Sequence, residues 1–381
     1  MSQSNQAEIN RGAERASLPY TLHEFDIPDT FVTDQQGRIR DSLAELEAMG
    51  FFGDTDIEHA LKRKRLSAID YTNPATAELI ARIPGVEHWL ALVPTAKALE
   101  PLYRPDISHL PNGHEIGPEL YEWLANIADA EGIRDRAERL KTIYHKRTPE
   151  STDEPEEWLS LASGVAQPVL EAAQRMQQET GIAPNVTLAD LDSSALTDAR
   201  RYATELGLVD SVELRRANIL RRVGLDEPIS PRDVALDSIQ RMMAFRAGVM
   251  PLSRKPFKKQ HYKKVELVGI TEYMGEEDWL YKYNQVVPMR TMMAGARTLL
   301  RNAYDLLKPG GSLVVGNMLI DRPEIAFTLN TIQWPHIQPR SIDDMMTLFD
   351  NAELEGERHV YASPNPRQRI YALYEIIKPE S

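Results

Sequence analysis

The sequence predicts an α/β protein in which an all-helical N-terminal domain precedes a doubly wound, Rossmann-like sheet. Three observations predict it. From about residue 158 onward, short apolar runs alternate with amphipathic helical runs, the rhythm of βαβ units and a parallel sheet. Before residue 147 only the helical period is visible. A chain of 381 residues is also long enough for two domains. The division reads as a polar tail over 1–20, a helical domain over 21–150 and a sheet domain over 151–381 with an insertion at 222–264.

The helical part opens with IRDSLAELEAMGFF (39–52), where Ile39, Leu43, Leu46 and Met49 make an apolar stripe at spacings of three and four. TAELIARI (76–83) and VEHWLALVPTAKAL (86–99) repeat the pattern, and 119–147 reads as one long helix or a pair broken near Gly132. RTPESTDEPEEW (147–158), with two prolines and five acids, is a boundary. Then LSLASG leads into a helix through Gln178, NVTLADLD into SSALTDARRYATELGL, and SVELRRANIL into the insertion. KKVELVGITEYM, a helix near 286–307 and SLVVGNML complete the alternation. ERHVYASPNPRQRIYALYEIIK (357–378) reads as a closing antiparallel pair. The insertion is longer than a crossover needs; it holds a helical piece, VALDSIQRMMAFRAG, and the basic run SRKPFKKQHYKK (253–264).

Composition narrows the function. With 42% hydrophobic and 27% charged residues there is ample material for a core. A net charge of −13 disfavours a nucleic-acid partner for the molecule as a whole, though not a local basic patch. The absence of cysteine removes disulfides, thiolate chemistry and cysteine metal sites, and fits a reducing compartment; no metal site is expected. The N-terminus has no apolar signal core and no stretch reaches 18 uninterrupted apolar residues. No membrane partner is expected, and the cytoplasm is the default location.

Ligands of parallel sheets bind beyond the carboxyl ends of the strands. At the first such end, Ser163, Gly164 and Ala166 form a loop that lets backbone approach a ligand, with Pro168 fit for the first helical turn. The alternative is an ordinary strand-to-helix turn. The second strand ends in Asp190, 26 residues after Gly164, where a carboxylate can accept from both ribose hydroxyls. Asp192 reads as a helix cap. The third strand leads to Asn218 and Ile219, which could read an adenine edge or simply line a polar loop. The fourth ends in Gly269, Thr271, Glu272 and Tyr273, and a fifth unit supplies LLKPGGSLVVGNM (306–318).

The ordered set LASGVAQP, VTLADLDSSAL, ANIL, VGITEYM and LLKPGGSLVV resembles the class I S-adenosylmethionine-dependent methyltransferases over about residues 155–378. Within them it is similar to bacterial small-molecule enzymes such as the hydroxy-fatty-acid methyl ester synthases. GIRDRAERL (132–140) is similar to the helix that precedes their catalytic domain. The resemblance implies a seven-stranded sheet with an antiparallel last strand. It implies S-adenosylmethionine as co-substrate over Ser163, Gly164 and Ala166, its ribose on Asp190, its adenine near Leu191, Asn218 and Ile219, and Gly269 beneath its methionine part. The sequence departs from the family pattern in the first strand, where Leu159 to Ala162 offer no acid to hold the methionine amino group.

The expected chemistry is methyl transfer to a small molecule by in-line displacement, with the protein supplying orientation and exclusion of water. Candidates near the reacting centre are Glu272, Tyr273, Tyr281, Tyr283, Asn317 and His336, each with a packing role as the alternative. Tyr144, at the end of the helical domain, could lay a ring over the sulfonium or pack between domains. The helical domain is expected to cover the site, and could also serve a homodimer interface. Two rival activities are transfer of the 3-amino-3-carboxypropyl group and cyclisation of the methionine chain, both releasing methylthioadenosine. A third, RNA methylation, rests on the basic run with Phe257 and Tyr262 interleaved for stacking.

Overall fold

A computed structural model describes residues 19–24, 69–93, 95–104, 106–146, 154–220, 250, 253, 255–283, 289–322, 324–334, 337–364 and 369–380. The expected tail, the stripe over 39–52, the helical piece of the insertion and His336 lie outside the described residues.

Four strands form the middle of the sheet: β2 (Glu157–Leu161), β3 (Asn185–Asp190), β5 (Tyr262–Val268) and β8 (Leu307–Met318). They are nearly continuously buried, as strands covered on both faces must be. β4 (Val212–Arg216) flanks β3 at the edge and is mostly half-buried. The closing pair is β9 (Glu357–Ala362) and β10 (Tyr371–Ile377), antiparallel with Leu373 opposite Tyr361. β1 (Thr21–Glu24) lies parallel on the outer edge of β9. The order is β1-β9-β10-β8-β5-β2-β3-β4, and β10 runs against all the others.

Seven of these strands are those the sequence predicts. The eighth, β1, comes from the segment expected to be helical; its His23 meets His359 at 2.9 Å and stacks on Tyr361.

The helices before the sheet are α1 (Pro74–Arg82), α2 (Val86–Leu90), α3 (Ala96–Tyr103), α4 (Pro118–Asn126) and α5 (Ala128–Lys146). The expected break near Gly132 falls instead at Ile127, whose extended backbone ends α4. Gly132 is helical, and a Cβ there would stand 2.5 Å from Ile370. The glycine serves close packing of α5 on the loop before β10.

On the face shared with α5 lie α6 (Gln167–Thr180) and α7 (Ser193–Glu205), with Trp158, Val186 and Leu188 turned toward them. The other face carries α8 (Ala296–Asp305) and α10 (Ile342–Asn351) against Leu159, Leu161, Val265 and Leu267. This odd–even split is the strand period of two. A third core joins α1–α5 to the chain after β8, including the short helix α9 (Ile325–Asn330).

One boundary differs from the sequence reading. The helix expected near 286–307 is shorter: β6 (Trp279–Tyr283) and β7 (Met289–Met293) pair as a separate hairpin, and α8 starts only at Ala296. α8 ends at Asp305, close to the expected end, and Pro309-Gly310-Gly311 join the irregular start of β8. β5 pairs with β8 in parallel register.

Candidate functional site

Chain order reverses between β2 and β5, and a cavity of about 490 Å³ opens beyond the carboxyl ends of β2, β3 and β5. Its floor is the loop 162–166. Ala162, Gly164 and Ala166 all take the left-handed conformation, with φ of 55°, 54° and 59°. Only glycine does this without steric cost, so two of the three positions are strained. Such strain concentrates where surrounding structure holds a loop in a required shape. Here Ser163 N donates to Ala189 O at 3.1 Å, Ala166 N to Ser163 O at 2.8 Å, and Gly164 N to a side-chain oxygen of Asp190 at 2.8 Å. The Ser163 hydroxyl finds no partner among the described residues.

Asp190 therefore ties the second strand end to the first. Its other oxygen accepts from Asp192 N at 2.8 Å, and Asp192 caps α7 through Ser194 N. Burial raises its carboxyl above the usual range, opposed by these backbone donors. Two accepted bonds leave lone pairs on a carboxylate that lines the cavity.

The opposite wall comes from the helical segment. Thr95, Ala96, Leu99, Glu100 and Tyr103 of the α3 region line the cavity, and the Ala96 methyl lies 3.2 Å from where a Cβ on Gly164 would stand. Glu100 faces Arg201 of α7 at 3.9 Å. Arg136 of α5 reaches in from the side: one guanidinium nitrogen donates to the Tyr103 hydroxyl at 2.6 Å, and the group lies 4.8 Å over the Tyr371 ring. From β5, Glu266 lines the same cavity. Burial pushes its carboxyl up to about 7, against a hydrogen bond from Ser160 and the Arg136 charge. Tyr273 also lines the cavity, its hydroxyl accepting from the Trp334 indole. Burial and then the Glu272 charge hold that phenol far above its ordinary value, so it is neutral and able to donate.

The other sequence candidates lie elsewhere. Tyr144 is fully buried against Trp158 near the amino end of β2, at 4.5 Å between rings, and its carbonyl accepts from the Lys264 ammonium at 2.7 Å. It follows Arg136 by eight residues, about 12 Å along a helix, and that places it beyond the cavity. The placement of Tyr144 over a ligand is thus corrected: α5 presents Arg136 there.

Glu272 is buried behind Tyr273 with its carboxyl raised to about 7, by burial against the charge of Arg136. Asn317 is enclosed at the end of β8, donating to Met318 O and accepting weakly from Arg340. Gly269, at φ 89°, does line the cavity, and a Cβ there would come within 3.4 Å of the Arg136 guanidinium. Leu191 is exposed, Ile219 is buried in the core, and the Asn218 amide oxygen accepts from Leu220 N; none of the three lines the cavity. Tyr281 lies on β6.

The basic run loses its stacking surface. Phe257 is buried under Arg215, Tyr262 is core, Lys264 is buried beside Glu156 at 3.5 Å, and Lys255 pairs with Glu213 at 3.1 Å.

No family model and no curated protein matches the sequence. Among solved structures, a protein from Bordetella parapertussis described as a possible exported protein is similar over 93% of this chain and 100% of its own. The identity is 16% and the TM-score 0.51. An O-methyltransferase family protein from Burkholderia thailandensis aligns over 67% of this chain and 60% of its own, at 14% identity and TM-score 0.40. The CMeT domain of the citrinin polyketide synthase aligns over 94% and 100%, at 13% identity and TM-score 0.44. Apart from β1, the strands make the seven-stranded sheet with an antiparallel last strand that the sequence resemblance implies. Among the described residues no helix is long and apolar enough to cross a membrane.

Proposed function

We propose that the protein is an S-adenosylmethionine-dependent transferase, in first place a methyltransferase acting on a small-molecule acceptor. One observation carries the reading. A strained loop after β2 and the carboxylate ending β3 are hydrogen-bonded to each other in the lining of one cavity. That arrangement suits a nucleoside: a carboxylate with free lone pairs accepts two vicinal hydroxyls, and the Ser163 hydroxyl offers a further donor or acceptor.

S-adenosylmethionine would supply an electrophilic methyl group on a sulfonium. The residues of the chain do the remaining work. Asp190 and the loop hold the nucleoside. The α3 and α5 wall excludes water, which strengthens every charged contact within and prevents hydrolysis. Tyr273, a neutral phenol, donates a hydrogen bond and does not act as a base. A carboxylate acceptor would need no base at all.

The test is thermal stabilisation by S-adenosylhomocysteine. The wild type should gain melting temperature, and Asp190→Ala should lose most of that gain. Hydrogen bonds to a charged group are worth about 1.5–3 kcal/mol each. Undiminished stabilisation of a folded Asp190→Ala variant defeats the assignment. In a turnover, S-adenosylhomocysteine as product supports methyl transfer, whereas methylthioadenosine supports transfer or cyclisation of the aminocarboxypropyl chain.

A further inference from the structure

Arg136 is a buried cation without an anion. It is 4% exposed, and no carboxylate among the described residues lies within hydrogen-bonding or ion-pairing distance. Its one directed bond is to the Tyr103 hydroxyl, and its Nε finds no partner. A guanidinium carries five donors, and enclosing it with most of them unanswered is costly.

Glu266 is its counterpart. It is 8% exposed, accepts from the Ser160 hydroxyl and the Val268 backbone, and has no cation within 4 Å among the described residues. The two charges feel each other without touching, and both line the same cavity. A positive and a negative group, each desolvated and each unpaired, are neutralised together by a ligand that carries both charges on adjacent atoms.

The position of Glu266 adds a second argument. Ser160 of β2 and Glu266 of β5 are direct partners in the parallel ladder. The first strand lacks an acid between Leu159 and Ala162. Glu266 places a carboxylate at the same level of the sheet, one strand over, and is hydrogen-bonded to the serine. At the end of the same strand Gly269 has no side chain, which leaves Arg136 open to the cavity.

We propose that Arg136 and Glu266 form a binding site for an α-amino-acid group, the guanidinium taking its carboxylate and Glu266 its ammonium, and that the occupant is the methionyl end of the co-substrate. This rests on the function proposed above. It makes α5, and with it the helical segment, part of the co-substrate site.

The experiment is calorimetric titration of the full chain with two nucleosides. S-adenosylhomocysteine carries the amino-acid group, and 5′-methylthioadenosine lacks it. Wild type should bind the first more tightly. R136Q should lose roughly 10- to 100-fold affinity for S-adenosylhomocysteine, the loss expected for a charged hydrogen bond, while keeping its affinity for methylthioadenosine. R136K should recover part of the loss, and E266Q should behave like R136Q. Retained methylthioadenosine binding shows that the variants are folded with an intact nucleoside site. Equal weakening of both nucleosides in R136Q overturns the proposal, because it makes the arginine a general structural support. Unchanged S-adenosylhomocysteine affinity also overturns it, and assigns the pair to an amino-acid acceptor instead. If wild type binds neither nucleoside, the transferase reading itself fails, which is a different result.

Discussion

Arg136 of α5 and Arg322, which packs on α5, are both enclosed arginines, yet Arg322 is answered by a carboxylate and Arg136 is not. Arg322 is fully buried and reaches Asp129 with two nitrogens, at 2.7 and 3.1 Å, while the Thr328 hydroxyl donates to the same carboxylate at 2.8 Å. Arg139, one turn past Arg136, is likewise paired with Asp135 and donates to the carbonyls of Tyr361 and Tyr371. Of these three arginines, Arg136 alone lines the cavity. The difference separates two uses of one helix. The Asp129–Arg322 pair in its first turn and the Arg139 bonds to two sheet carbonyls fasten α5 to the sheet half, and the open charge between them is left for the proposed ligand.

The sharpest way to break this comparison is by stability. Asp129→Ala strands a buried guanidinium, and losing one partner of a buried pair costs about 3–5 kcal/mol. Arg136→Met removes a charge that has no anionic partner to lose, only the Tyr103 hydroxyl bond, and should change ligand-free stability by about 1 kcal/mol or less in either direction. Chemical denaturation of the two variants decides it. A loss in Arg136→Met as large as that in Asp129→Ala would show that Arg136 is fastened too.

How much of this was legible in the sequence follows the range of the interactions. The strands at Leu159, Val186, Val265 and Leu313 and the closing pair are local patterns of apolar residues, and they read correctly. The cap at Asp192 and Pro168 in the first turn of α6 are local too. Gly132 misled because glycine in a helical pattern signals a break, whereas Ile370, far along the chain, is what requires the missing side chain. The β1 strand has four residues and joins the sheet only through β9, more than 330 residues away in the register Thr21 to His359.

The site divides in the same way. Gly164 and Asp190 are visible because a strand end marks each. Arg136 lay in the GIRDRAERL segment as one arginine among three, and nothing local distinguishes it from Arg134, which donates to the carbonyls of Leu102 and Ala125. Glu266 sits inside an apolar strand, and that was the available signal: an acid in the middle of KKVELVGI must be paired, protonated or functional.

Two buried carboxyl groups that feel the Arg136 charge sharpen the comparison through pH. Burial raises both Glu266 and Glu272 from about 4.5 to about 7. Each folded value lies above the unfolded one, so the folded chain keeps protons that the unfolded chain has released. Their contribution is fully present below about 4.5 and is lost as pH rises through 7. Ligand-free protein should therefore lose roughly 1 kcal/mol per group between pH 6 and 8. Glu272→Gln and Glu266→Gln should each flatten the melting-temperature profile over that range. A saturating amino-acid ligand should flatten it in wild type only through Glu266, the group that lines the cavity. Profiles that stay equally steep in both variants would place the titration elsewhere.

The smallest expected effect tests the loop itself, through two alanines that share one backbone conformation and differ in packing. Ala162 and Ala166 both carry positive φ, which costs a non-glycine residue about 1–2 kcal/mol. Replacement by glycine removes that cost but loosens the unfolded chain, a penalty of about 0.4–1 kcal/mol. Ala166 is 5% exposed and packs in the core with Leu140 and Ile143, so its methyl contributes about 0.8 kcal/mol more by burial. Ala162 is only half-buried. Ala166→Gly should thus leave stability near zero change, and Ala162→Gly should raise it by about 0.5 kcal/mol. Affinity for S-adenosylhomocysteine should hold in both, since Asp190 and the Ser163 and Ala166 backbone bonds still fix the loop. If Ala162→Gly instead destabilises the fold by 1 kcal/mol or more (about the size of the strain itself), the left-handed turn carries no strain for glycine to relieve.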